Sequence, residues 1–202
     1  MTTIGTLALQ GDFAEHEAML RRLNVNTRQV RSANDLSGID GLIVPGGEST
    51  TFCNLMENFG LYEPLAAVVQ SGVPTWGTCA GMIVLARHAT DLEFPTLDAI
   101  DIEVSRNAYG RQVQSFEADF SVTAFGEPPF HGIFIRAPVV QSVGPGVDVL
   151  ATVTGVSQRQ SPVAVRQGTV MATSFHPELT SDERFHAYFL EIVRGAGSSV
   201  GK

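Results

Sequence analysis

Cys79 lies in the run "VPTWGTCAGMIVLA" (73–86), flanked by Gly77 and Gly81 with apolar residues on both sides. A G-x-nucleophile-x-G pattern between a strand and a helix is the form of a nucleophile elbow. Residues at 77 and 81 without side chains leave room for the sharp turn that the pattern requires. A thiol at that turn stands at the start of the helix "AGMIVLA", where the helix dipole favours thiolate over thiol. The amide of Ala80 would then face an oxyanion formed at the thiol. The other cysteine, Cys53, falls beside the stripe Phe52–Leu55 of an amphipathic helix and reads as packing.

A thiolate nucleophile calls for a base, and the chain offers five histidines. His176 in "MATSFHPEL" follows an apolar strand and precedes Pro177, which places it at the carboxyl edge of a parallel sheet, where the elbow also opens. Glu178, two residues on, can orient the imidazole and stabilise its charged form. Of the other four, His16 is expected on a surface face between Glu15 and Glu17. His88 follows the elbow helix, near its C-terminal dipole. His131 falls in a loop after two prolines. His186 sits in the last helix, solvent-facing or capping. Cys79, His176 and Glu178 are therefore the candidate catalytic set.

Other segments supply polar groups. "VPGGEST" (44–50) puts a Gly46-Gly47 turn at a strand end and a helix start at Ser49, a setting that favours a carboxylate or an oxyanion. "SRNAYGRQ" (105–112) and "FIRAP" (134–138) each bring an arginine. Arg106 and Arg136 could grip a substrate α-carboxylate through two parallel hydrogen bonds or could form surface salt bridges. Walker, GxGxxG, CxxC, HExxH and acidic metal-loop patterns are missing, so neither a metal nor a nucleotide cofactor is indicated.

The positioning elements follow from periodicity. "TIGTLAL", "NTRQVR", "DGLIVPGG" and "VPTWG" read as strands alternating with helices. Asp12 and Glu15 form a capping-box pattern before the first helix, and Phe52, Leu55, Met56 and Phe59 stripe the next, which stops at Gly60. That alternation predicts a parallel sheet covered on both faces. The second half differs. "SFEADFSV" alternates apolar and polar residues, and "GIFIRAP", "VDVLATV" and "SPVAVRQGTVMATSF" add strands, the last folding back at Gln167-Gly168. Phe185, Tyr188, Phe189, Ile192 and Val193 stripe a closing helix. The expected architecture is one α/β domain over residues 1–195, with a mixed, mainly parallel sheet flanked by helices, and a flexible tail at 196–202.

A length of 202 residues fits one domain, and 44% hydrophobic with 17% charged residues suffices for a full core. A net charge of −8 excludes the basic stripe of a nucleic-acid binder. No apolar run approaches the length of a membrane span, and the N-terminus has no basic segment before its short apolar run. Two cysteines do not make a disulfide framework, so a cytoplasmic address with reduced thiols is expected.

"GTCAG" together with "HPE" resembles the class I glutamine amidotransferases. "LALQGDFAEH" (7–16), "PGGEST" (45–50), "GTCAGM" (77–82), "RNAYGRQ" (106–112), "FIRAP" (134–138) and "ATSFHPELT" (172–180) narrow the resemblance to the glutaminase subunits of pyridoxal 5'-phosphate synthase. The resemblance implies a flavodoxin-like fold. It implies that Cys79 forms a γ-glutamyl thioester from L-glutamine, with His176 as base and Glu178 as its orienting partner. Gly47, Glu48, Ser49, Arg106, Ile135 and Arg136 carry over as glutamine-binding positions, and the amides of Gly47 and Ala80 as the oxyanion hole. Gln10 carries over to the entrance on the partner side. The implied partner is a synthase subunit, in a large hetero-oligomer, that consumes the released ammonia. A stand-alone cysteine hydrolase of γ-glutamyl substrates and a non-catalytic binding subunit are the alternatives. "HATDLEFPTLDA" (88–99) and "TAFGEPPFHG" (123–132) match the family weakly.

Overall fold

Seven strands form the central sheet of the computed structural model, which describes residues 2–106, 115–154 and 160–199. In chain order the elements begin with β1 (Thr3–Leu7), α1 (Phe13–Arg22), β2 (Asn26–Val30), β3 (Gly41–Val44), α2 (Ser49–Asn58) and α3 (Tyr62–Gln70). Next come β4 (Thr75–Thr78), α4 (Ala80–Leu85), β5 (Ala86–Thr90), β6 (Ile100–Ser105), β7 (Ser115–Phe120), β8 (Phe130–Ile135) and β9 (Val139–Val143). The chain closes with β10 (Asp148–Thr154), β11 (Gln160–Gln167), β12 (Val170–Thr173) and α5 (Arg184–Ser199). The sheet order is β10-β11-β12-β4-β3-β1-β2; the strands from β12 to β2 run parallel, and β10 and β11 pair antiparallel at one edge. β5-β6-β9, with β5 parallel and β9 antiparallel to β6, and the antiparallel hairpin β7-β8 are separate small sheets; the antiparallel pairs are the additions expected of the second half.

Continuous apolar strands bury both faces. Leu42 and Val44 of β3 pack under α2, α3 and α4 with Phe52, Met56, Leu65 and Met82, whereas Ile43 faces the opposite side with Trp76, Phe185 and Phe189. A run of buried strand residues with helices above and below gives this division, since side chains alternate between faces. Phe120, Phe130, Phe134, Phe175 and Phe185 form an aromatic cluster that fixes the β7-β8 hairpin against α5.

Some expectations are corrected. The helix after Cys79 ends at Leu85, and Ala86 already begins β5, so His88 lies exposed on a strand rather than at a helix end. His131 belongs to β8, not a loop, and pairs with Asp119 at 2.7 Å and Glu117 at 2.9 Å across the hairpin. Asp12 caps α1 without any side-chain capping bond, because its carboxylate is turned elsewhere. β6 is a strand that the reading above omits, although its sequence IDIEVS alternates buried and half-exposed residues. α5 runs on through Ser199 into the segment expected as a tail, and residues 200–202 lie outside the described residues.

Candidate active site

Parallel register brings the chemistry together. Thr78, the last residue of β4, pairs with Thr173, the last of β12, and Gly77 pairs with Val44, the last of β3. The segments leaving these three strands therefore emerge side by side at the carboxyl edge: Gly46-Gly47 from β3, Cys79 from β4 and His176 from β12. Ligands bind at that edge in open α/β sheets.

Cys79 takes φ +48° and ψ −104°, a left-handed conformation that a side-chain-bearing residue adopts at a cost of order 1–3 kcal/mol. Its amide donates to Thr173 O at 2.8 Å, which locks the turn to β12. A methyl group at Gly81 would run into the carbonyl of Val44, and one at Gly77 into Gly81, so both glycines are demanded by close approach. Ala80 opens α4, where its amide has no acceptor within the helix. Cys79 is buried, and its Sγ meets the carbonyl of Ile135 at 3.7 Å.

His176 is held by β8 as well as β12, since its amide donates to Ile133 O at 2.9 Å. Its Nδ1 donates to Glu178 Oε1 at 2.8 Å and reaches Asp12 Oδ2 at 3.2 Å. Burial disfavours the imidazolium, but hydrogen bonding with Asp12, Cys79 and Glu178 outweighs it and pushes the His176 pKa up to about 12. Burial raises the carboxyl pKa of Glu178, against the lowering influence of His176. Asp12, His176 and Glu178 offer ligand atoms within 4.8 Å of one another, a spacing a cation could use. His176 Nδ1 already shares its proton with both carboxylates, so the arrangement stabilises a charged imidazole.

Asp12, Cys79, Ala80 and His176 line a cavity of about 420 Å³ with Gln10, Gly47, Glu48, Ser49, Arg106, Ile135 and Arg136, within the usual size range of small-molecule sites. Gly47 has φ +153°, and Gln10 packs directly over it where any side chain at 47 would clash. Glu48 caps α2 through Thr51 N at 2.7 Å and Thr50 N at 3.2 Å; burial would raise its pKa, but these bonds hold it below the ordinary value. The two arginines part company. Arg106 is engaged by Asp91 O at 2.6 Å, Thr50 Oγ1 at 2.9 Å and Glu48 Oε1 at 3.4 Å. Arg136 is exposed, with φ +45°, and has no ion-pair partner among the described residues. The remainder of "RNAYGRQ", residues 107–112, lies outside the described residues.

Cys53 is buried and stays out of the cavity, and burial pushes its pKa up to about 11. His16 and His186 are not at the surface: both are fully buried behind Glu178. Spacing could have placed them. His16 stands three and four residues before Met19 and Leu20, on the buried stripe of α1, and His186 three and seven before Phe189 and Val193 on that of α5. Asp12 is the site residue that sequence reasoning assigned to another task.

An elbow cysteine beside a histidine that rests on a buried glutamate, at the carboxyl edge of a flavodoxin-like sheet, is an arrangement that a cysteine-dependent amidotransferase could use. The chain belongs to the SNO glutamine amidotransferase family, which it matches over residues 6–194. It is similar to the pyridoxal 5'-phosphate synthase subunit PdxT of Frankia alni, at 50% identity over 96% of both chains. The PdxT subunit of Thermus thermophilus is 52% identical over 94% of this chain and 97% of that protein. A solved glutamine amidotransferase crystal structure superposes with a TM-score of 0.86 at 48% identity, covering 94% of this chain and 98% of the other. Among the described residues no helix is long and apolar enough to cross a membrane.

Proposed function

We propose that the chain is the glutaminase subunit of a cytoplasmic pyridoxal 5'-phosphate synthase and hydrolyses L-glutamine for a synthase subunit bound to it in a hetero-oligomer. The observation that carries this reading is Cys79, strained at the elbow, in one cavity with a His176 whose Nδ1 rests on Glu178. The Cys79 thiolate attacks the side-chain amide carbon of glutamine. The oxyanion is met by the amides of Ala80 and Gly47. His176 gives its proton to the departing ammonia, leaving a γ-glutamyl thioester. Water then attacks the thioester as His176 takes its proton, and glutamate leaves. Arg136 is the group free to receive the substrate carboxylate, while Arg106 holds Glu48 and Thr50 in place around it.

Ammonia released without an acceptor is wasted, and the Gly46-Gly47 peptide offers control. Gly46 O accepts the Asp12 amide at 3.2 Å, an approach that Gly11 permits by lacking a side chain. Turning this peptide over would exchange the direction of its carbonyl and the Gly47 amide, and one oxyanion donor is worth about a hundredfold to a thousandfold in rate. Ammonia release from glutamine, measured with and without the synthase subunit, tests the reading. Low activity alone, strong activation by the partner and none with Cys79→Ala are expected. Full activity alone, unchanged by the partner, would favour a stand-alone hydrolase.

A further inference from the structure

Behind the cavity lies a buried polar chain that the reaction steps above do not use. Glu178 spends Oε1 on His176; among the described residues Oε2 is buried without a hydrogen-bond partner, and His16 Nε2 lies 3.4 Å from it. That Nε2 also lies 3.1 Å from Thr78 Oγ1, and His16 Nδ1 lies 2.9 Å from His186 Nε2. All four side chains are buried, and Trp76 closes over both imidazoles edge-on, with ring centroids 5.5 Å and 4.9 Å away.

The hydrogen bonds leave one arrangement with the least cost. Among the described residues His186 Nδ1 is buried without a hydrogen-bond partner. An orphaned N–H there would forfeit a donor, whereas a bare lone pair is the milder loss, so the proton belongs on Nε2. His186 Nε2–H then donates to His16 Nδ1, which leaves His16 with its proton on Nε2, donated to Thr78 Oγ1 with Glu178 Oε2 close by. Both donors in the row point the same way, toward Thr78. Thr78 immediately precedes Cys79, so His16 touches both the strand that presents the nucleophile and the acid that orients the base.

We propose that His16, oriented by His186, is a positioning residue for the glutaminase reaction: its Nε2–H holds the hydroxyl of Thr78, and the positive end of that N–H dipole, 3.4 Å from the outer oxygen of Glu178, helps keep Glu178 an ionised acceptor for His176. This rests on the Cys79–His176–Glu178 reading. A carboxylate this deeply buried is costly without donors, and His176 alone serves only one of its oxygens. The groups facing the pair are His176 and Asp12 on the cavity side and His186 from α5, with Arg22 of α1 acting on His186. Burial, reinforced by neighbouring positive charge, keeps both His16 and His186 neutral, as the donor chain requires.

The test uses the full chain with its synthase subunit and glutamine. His16→Leu should lower kcat about tenfold or more, with the KM for glutamine unchanged. Loss of the N–H dipole beside the buried Glu178 carboxylate raises its pKa, so the acid limb of the kcat profile should move up by as much as about one pH unit. His16→Gln, which places an amide N–H near the Nε2 position, should restore most of both. A folded His16→Leu with wild-type kcat and pH profile overturns the proposal, as does a folded His16→Gln that fails as fully as Leu. A second measurement needs no variant and no turnover: imidazole 15N shifts of the labelled wild-type chain at pH 7. Neutral Nε2–H tautomers at both His16 and His186 are expected; an Nδ1–H tautomer or a charged ring at His16 overturns the assignment. Ammonia release by Cys79→Ala would instead overturn the triad, whatever the tautomers.

Discussion

The carboxylate of Asp12 reaches His176 Nδ1 at 3.2 Å, sharing with Glu178 the proton that the ring donates. Asp12 is half-buried at the mouth of the cavity, whereas Glu178 is enclosed beneath the ring. The imidazole therefore has an inner anion that fixes its orientation and an outer one that adds to its charge.

Removing the outer anion should change the pH dependence before it changes the geometry. Asp12→Asn withdraws one influence that raises the His176 pKa, so the imidazolium is lost at lower pH than in the parent. The alkaline limb of the kcat/KM profile should move down, while the rate on its plateau falls only severalfold because Glu178 still orients the ring. A pH–rate series on the complex with the synthase subunit checks this; an alkaline limb that stays in place would show Asp12 to be electrostatically idle.

The two thiols should differ in reactivity. Cys79 opens onto the cavity beside a positively charged ring, while burial holds the Cys53 thiol protonated up to about pH 11. Iodoacetamide at neutral pH should modify Cys79 alone and abolish ammonia release, with one adduct by mass. Cys53→Ala should keep most activity. Labelling at Cys53 first, or inactivation by Cys53→Ala, would reverse the assignment.

Most of the site was legible because its geometry follows from strand ends. Val44, Thr78 and Thr173 each close an apolar strand, and parallel pairing then sets Gly47, Cys79 and His176 side by side with no long-range information needed. What failed were judgements made from neighbours in sequence. His16 reads as a surface residue between two glutamates, yet helical periodicity sets it on the stripe of Met19 and Leu20, away from exposed Glu15. Asp12 has the residue type and place of a helix cap, and only the fold shows that His176, 164 positions on, competes for its carboxylate. The engagement of Arg106 with Asp91 and Thr50 likewise depends on where β6 ends, which motif reading cannot give.

The elbow should tolerate no side chain at Gly81. Its Cα faces the carbonyl of Val44, a backbone group of β3 that cannot move without breaking the pairing of Val44 with Gly77. Gly81→Ala should cost about 1–3 kcal/mol in stability and displace Cys79, so that ammonia release is lost even where the chain folds. Urea titration with activity read in parallel checks both; a variant of parental stability and rate would show that β3 yields. By contrast, Gly60→Ala, at an open turn with no neighbour in reach, should leave activity untouched and cost only the strain of its positive φ.

Acid should unfold the protein through the two histidines behind the site. Burial, then the charges of His186 and His176, hold the His16 pKa well below 6.5; burial, then Arg22, brings that of His186 down to about 3. The unfolded chain takes up both protons as pH falls through about 6.5, while the folded chain refuses them. Stability therefore falls with pH below about 6.5, by about 1.4 kcal/mol per pH unit for each ring, and the His186 contribution levels off only near pH 3, where the folded ring is protonated too. His176 adds no slope in this window: its pKa is raised to about 12, so the ring is charged in both states below about 6.5, and its stabilising effect is lost only as pH climbs from there toward 12. Urea unfolding at half-unit steps from pH 7 to pH 4 should show the decline. His186→Phe, which keeps an aromatic ring beside Trp76, should remove the share belonging to one proton while leaving the carboxylate contributions unchanged. An identical slope in the two proteins would mean that His186 is charged in the folded state, against its burial and the lone pair assigned to its Nδ1.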